Sequence, residues 1–427
     1  MHTHFLSPRS SMRSPALRAV LGLAFAVAVA PTALAQSCPG DINDDTVVNG
    51  GDLATVLSNW GSCPVSAPTI AQVSPNTGSA AGGTVFYIGG TNLSQVTSVT
   101  VGGVAATIIA AHPTVIVAST PVSTVGGAAT VVVTTPGGTA AASDAFSYTF
   151  ATPSWATLIE AAPDPAVVTS ASMRAAITAT GLAWRVRDTA TQIELVLVPP
   201  GTFNMGCSPV NGGACPGDEL PVHAVTLTNA FYMGRYEVTQ AQWTARMGSN
   251  PSQFKTASPE VPAAQVPNRP VEKVSWTMVQ GFLSATGMRL PTEAEWERAY
   301  RAGTTTAFHS MPGFPNGTSD ASQAGNIAWF TSNSASQTRP VGGKAANALG
   351  LHDMSGNVWE WVNDWYSFTY YASSPPTNPP GPATGTSRMT RGGSWFPSNG
   401  LWRSSSRQPV SPSSAQNTIG FRVARNP

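Results

Sequence analysis

Hydrophobic positions change rhythm several times along the chain. Near the N-terminus an unbroken apolar run, LGLAFAVAVA, follows Arg13 and Arg18. Between residues 66 and 150 the apolar positions fall into short β-branched runs, TVFYIGG, SVTVGG, TVIVAST, ATVVVTT and AFSYTF, broken by Gly, Pro and Asn. Alternation of this kind predicts strands of a β-sandwich. Residues 151–190 contain a helical stretch, SMRAAITATG, and read as a helical linker. Beyond it three helices are signalled. Thr239 with Gln242 and Thr292 with Glu295 have capping-box spacing, and Ser275 can cap WTMVQGFLSAT. Gly248 and Gly287 can stop the first two of these, and each helix carries a tryptophan, Trp243, Trp276 or Trp296.

The first run ends at Ala33-Leu34-Ala35 before Gln36. A charged start, an apolar stretch too short to cross a bilayer and an A-x-A site predict a secretory signal over 1–35, hence a secreted, extracellular or periplasmic protein. No second stretch predicts a membrane-spanning segment. The four cysteines form two local pairs, Cys38 with Cys63 and Cys207 with Cys215, which suits two short-loop disulfides in an exported chain. Zinc half-sites lack the C-x2-C spacing and histidine partners. Charged residues make up 10% of the 427 and the net charge is +1, so no electrostatic case for nucleic acid exists.

Residues 36–64 place Asp41, Asn43, Asp45, the Val47 carbonyl, Asn49 and Asp52 at positions 1, 3, 5, 7, 9 and 12 of an EF-hand-type loop. Alternating hard oxygens suit calcium, and Asp52 can also cap the helix that follows. Thr46 replaces the usual glycine, and Asp52 is shorter than the usual glutamate. The segment resembles one dockerin repeat. A dockerin that binds a cohesin carries two, so a calcium-stabilised appendage clamped by Cys38 and Cys63 is the expectation. Residues 66–150, opening PTIAQVSPNTGSAAGGTVFYIGGTNL, resemble the IPT/TIG immunoglobulin-like family and imply a spacer or interaction module.

Over residues 191–427 the blocks IELVLVPPGTFNMG, FYMGRYEVTQAQW, NRPVEKVSW, GMRLPTEAEWERAYRAG, GLHDMSGNVWEW, RGGSW and GFRVA occur in this order. They resemble the formylglycine-generating enzyme, or sulfatase-modifying factor, family. The resemblance implies an α/β fold of the C-type-lectin-like kind, poor in regular secondary structure and holding calcium. The matching calcium positions are Asp353, the Gly356 and Val358 carbonyls and Glu360, where two hard anions flank a Gly-Asn turn. A second family site would use Asn326, the Ile327 carbonyl, and residues near Asn333 and Ala335.

Catalytic members use two cysteines after the GGS serine to bind copper and oxidise a substrate cysteine. Here those positions fall on about Pro397 and Trp402, so copper is not expected. An iron branch uses three histidines, and His112, His223, His309 and His352 offer no H-x-x-x-H pair. The chain is therefore expected to be a non-catalytic module. Its cleft would be furnished by Ser394, Trp395, Phe396, Asn399, Trp402, Arg403 and Arg407, for an unidentified peptide, protein or glycan. For Arg403 and Arg407, tying down the C-terminal strand is an equal alternative. Two other functions stay open: a formylglycine-generating oxidase, and an assembly component led by the dockerin-like and IPT/TIG units.

Overall fold

The computed structural model describes residues 50–58, 65–396 and 402–427. The chain divides into two compact units, residues 1–63 and 64–427. In the first, helix α1 spans Gly50–Ser58, where the helix after the acidic loop was expected. Cys38, Cys63 and the ligands proposed between Asp41 and Asn49 lie outside the described residues, as does the signal segment.

In the second unit residues 66–150 fold as two facing sheets. One has the order Thr69–Ser74, Val85–Thr91, Val115–Ser119, Thr107–Ala111. The other runs Thr77–Ser79, Gly138–Thr149, Gly127–Thr135, Ser98–Val101, Val104–Ala105. Alternate residues point inward, so Val99, Val101, Ile116, Val131 and Val133 pack around Phe86, Phe146 and Tyr148. The ring centroids of Phe86 and Phe146 stand 5.6 Å apart.

The C-terminal region has a second core of its own. An antiparallel five-stranded sheet takes the order Ala156–Glu160, Arg185–Asp188, Glu194–Val198, Phe231–Gly234, Ala424–Arg425. The first two strands lie inside the segment expected as a helical linker. It does carry one helix, α2 (Ala171–Thr178), capped by Ser170, yet two of its strands belong to this sheet. Alternating charges hide them: Arg185 reaches Glu160 at 2.5 Å, and Arg187 reaches Glu194 at 2.8 Å, so the polar positions of RVRD pair with neighbouring strands. A four-stranded sheet has the order Arg407–Val410, Arg388–Arg391, Trp359–Trp365, Ile419–Phe421.

The three signalled helices form where their caps place them: α3 (Gln240–Met247), α4 (Trp276–Thr286) and α5 (Glu293–Arg301). Both capping boxes are complete, and Gly248 and Gly287 close their helices in the left-handed conformation. Residues 302–358 contain little regular structure beyond the short 3-10 turn Ala321–Asn326.

Candidate functional site

Helix α5 carries the charge that organises the site. Glu293, Glu297 and Arg301 recur every four residues, so they share one face, and all three are buried. Arg391, at the end of its strand and fully buried, donates to Glu297 and to the carbonyls of Ser404, Ser405 and Ser406 at 2.7, 2.9 and 3.0 Å. Arg407 forks onto Glu293 at 2.7 and 3.0 Å. Arg403 forks onto Glu219 at 2.7 and 2.8 Å. Arg301 holds Glu297 and the Gly206 carbonyl. Burial alone would raise the Glu293 carboxyl, but Arg407 and Arg391 hold it below the usual range. Segment 402–407 is thus wrapped around arginines whose charge is spent internally.

The glycine pair turns the chain into this frame. Gly392 and Gly393 sit at φ +91° and +78°, and a Cβ on Gly392 would press within 3.2 Å of the Trp296 ring. Ser394 then closes a tight local turn, accepting from the Phe396 N–H at 3.1 Å and donating to the Phe396 carbonyl. The Trp395 indole donates to the Asn417 carbonyl at 3.0 Å, and its ring meets Phe254 edge-on at 5.4 Å. Trp402 donates to the Ser394 carbonyl at 3.4 Å and lies against Phe330 at 4.2 Å.

This arrangement corrects the expected cleft. Ser394, Trp395, Trp402, Arg403 and Arg407 are buried framework, because each finds its partner inside the domain. Phe396, 50% exposed, is the described member that faces solvent. Asn399 and Pro397 lie outside the described residues. Beside Phe396 opens a groove of about 650 Å³ lined by Gln408, Ser411, Ser414, Gln416 and Asn417.

The calcium positions fit a cation in part. Asp353 is buried with Oδ2 accepting from the Gly342 N–H at 2.6 Å, while Oδ1 has no hydrogen-bond partner. Both oxygens of Glu360 are already occupied, by Arg422 at 2.6–3.0 Å and by the Trp296 indole at 2.6 Å. Gly356 is required at φ +76°, where a Cβ would stand 2.3 Å from the Trp329 carbonyl. Glu237, which sequence reasoning missed, accepts from the Asn357 amide at 2.6 Å and the Val358 N–H at 3.1 Å. Burial pushes Asp353 up to about 6 and Glu237 well above the carboxylate range, and the surrounding carboxylates add to both. An acid close behind the apolar run FYMG was the available signal.

In the second set the Asn333 side chain is committed to its own turn, while the bonds of Asn326 and Ile327 involve their N–H groups. The Asn333 amide spans its own turn, accepting from the Phe330 N–H and donating to the Ala328 carbonyl. Asn326 binds Gln323. Ala335 adopts φ +55°, and the Ile327 N–H closes a turn onto Ala324. Among the described residues no three His, Cys, Asp or Glu converge on one metal position. Asp52 lies in α1.

Comparison with known proteins now decides the family. The sulfatase-modifying factor enzyme 1-like domain matches residues 183–427, and the IPT/TIG domain matches residues 68–150. The chain belongs to the sulfatase-modifying factor family. The formylglycine-generating enzyme of Streptomyces coelicolor is 31% identical over 306 residues, covering 58% of this chain and 92% of that one. The serine/threonine-protein kinase pkn1 of Chlamydia pneumoniae is 32% identical over 251 residues, 55% of this chain. The match spans 38% of that kinase's length. Treponema denticola variable protein 1, a solved structure, is 29% identical, with 55% of this chain and 95% of that chain covered and a TM-score of 0.48.

Within this family the remaining candidates resolve as follows. Cys207 and Cys215 are bonded to each other, with Cα atoms 5.8 Å apart. Their loop rests on the site frame, since the Ser208 N–H donates to Ser405 Oγ at 3.3 Å. His309 is buried against Tyr300, His352 lies at a tilt on Tyr236, and His223 meets Tyr371 edge-on, so each of these histidines packs on a tyrosine. No described helix is long and apolar enough to cross a membrane.

Proposed function

We propose that this chain is an exported, non-catalytic member of the sulfatase-modifying factor family that works as a binding module. Support comes chiefly from position 402. Oxidation of a cysteine through copper needs thiolate ligands there and near 397. Trp402 is instead packed against Phe330 and bonded to Ser394, so the residues present do not fit copper. The Cys207–Cys215 disulfide agrees with export to an oxidising compartment. The groove beside Phe396 is where a peptide, protein or glycan would dock. Calcium belongs to the proposal at Asp353 with the Gly356 and Val358 carbonyls, Glu360 serving Arg422 instead.

The competing reading is a formylglycine-generating oxidase, favoured by the extent of the Streptomyces coelicolor match. Incubating the full chain with Cu(I), oxygen and a Cys-x-Pro-x-Arg peptide separates the two by mass spectrometry. The expected result is unmodified peptide. Conversion of the cysteine to an aldehyde would overturn the binding-module reading. A role in a surface assembly led by the dockerin-like and IPT/TIG units has no comparable site in its support.

A further inference from the structure

The groove at Phe396 has a chemistry of its own. Among the described residues, none of those lining its 650 Å³ carries a charge. The nearby Arg391, Arg403 and Arg407 turn inward onto Glu297, Glu219 and Glu293, and Arg388, opposite Val410, stacks on Trp276 and Trp365. A charged ligand entering here would lose hydration and meet no charged lining residue, the exposed Lys273 standing beside the loop and outside the lining. The ligand that suits the groove is polar and uncharged.

Three further features narrow the class. Phe396 is half exposed but not loose: its ring sits 5.5 Å from Trp395, which is itself braced by Phe254 at 5.4 Å. A braced aromatic face is a platform for the C–H face of a flat ring. Around it stand the carboxamides of Gln408, Gln416 and Asn417 and the hydroxyls of Ser411 and Ser414. Each carboxamide offers a donor and an acceptor on adjacent atoms, the pattern that neighbouring hydroxyl groups of a pyranose satisfy. The carboxamides carry few internal bonds: Gln416 donates to Ser414 at 3.0 Å, and Gln408 donates to the Pro409 carbonyl at 3.4 Å.

The wall is also preformed. The Gln416, Asn417 and Thr418 carbonyls accept from the Lys273 N–H, the Trp395 indole and the Trp359 N–H at 2.9, 3.0 and 2.8 Å. Three separate elements thus fix the loop, so a ligand need not order it. An extended peptide is disfavoured on different grounds. Strand Arg407–Val410 is an edge of its sheet, but Pro409 supplies no N–H there for an added strand.

We infer that this groove binds an uncharged oligosaccharide, with one sugar ring stacked on Phe396 and its hydroxyls on Gln408, Gln416 and Asn417. The inference rests on reading the domain as a non-catalytic binding module. The full chain is screened on a glycan array carrying neutral and acidic oligosaccharides, and hits are titrated by calorimetry. Binding of a neutral glycan is expected, weakened about tenfold by Phe396→Ala, the loss typical of a central aromatic contact. Phe396→Trp should retain it, and Gln416→Ala should weaken it with the melting temperature unchanged.

No neutral glycan bound, a preference for acidic glycans, or affinity indifferent to Phe396→Ala would each overturn the inference. A peptide whose binding depends on Phe396 would overturn the glycan and leave the module standing. Aldehyde formation in the copper assay would remove the module itself, so the two failures are distinguishable.

Discussion

The sandwich and the C-terminal domain are stabilised by opposite means. Residues 66–150 contain a single charged residue, Asp144. Their core is aliphatic and aromatic, ordered by strand alternation. In the C-terminal domain Arg269, Arg391 and Arg422 are among the largest fully buried side chains. Among the described residues the ion pairs all fall between Glu160 and Arg425. A low charged fraction therefore does not mean a weak role for charge. Here charges were placed inside, where long loops lack ladder bonds and each carbonyl needs a donor. Segment 404–406 shows the exchange: three buried carbonyls are satisfied by one guanidinium, Arg391.

The sharpest way to break that comparison is Glu297→Ala. The carboxylate serves Arg301, Arg391 and the Gly206 N–H at once. Removing it takes the nearest carboxylate from both buried arginines, leaving Arg391 only Glu293 at 3.4 Å, for an expected loss of about 3–5 kcal/mol in urea denaturation. Tryptophan fluorescence is the appropriate probe because residues 66–150 contain no tryptophan. A loss below about 1 kcal/mol would mean that the network is not what holds the domain.

The same contrast explains what could be read in advance. The sandwich was legible because burial there follows period two, and α3, α4 and α5 were legible because their caps are local. The Cys207–Cys215 bond was legible for the same reason. The direction of the arginines was not. Arg403 finds Glu219 across 184 residues and Arg407 finds Glu293 across 114, so nothing along RGGSWFPSNGLWR distinguishes a ligand-facing guanidinium from a buried one. Strands Ala156–Glu160 and Arg185–Asp188 were missed because their polar positions are paired laterally, a relation that linear patterning does not encode.

A second test concerns pH. Burial pushes the Glu272 carboxyl from 4.5 up to about 7, with Arg269, Lys273 and the Phe254 N–H opposing the shift. Its Oε1 accepts from that N–H at 2.8 Å, and Oε2 has no partner. A folded-state value above the unfolded one stabilises fully below about 4.5 and is lost as pH rises to about 7. The expected contribution is about 3 kcal/mol between those limits. Glu272→Gln keeps an acceptor for Phe254 and should remove this share of the slope. Equal slopes in variant and parent would show that Glu272 is charged in the folded domain.

Calcium offers the smallest and most diagnostic effect. The Glu237, Asp353 and Glu360 carboxylates lie in one charge environment with Arg422, which leaves negative charge in excess. Either a cation or bound protons must offset it. An ion bound at a hundredfold excess over Kd adds about 2.7 kcal/mol, so chelation by EGTA should lower Tm by roughly 5–10 °C. Asp353→Ala should abolish that response, which separates this position from the acidic loop ahead of α1. Glu360→Gln should destabilise the domain with or without calcium, since its partner is Arg422. An unchanged Tm after chelation would assign the neutralising role to protons on Glu237 and Asp353. The domain would then be stabilised at its centre by buried acids, with the C-terminal arginine Arg422 as their shared counter-charge.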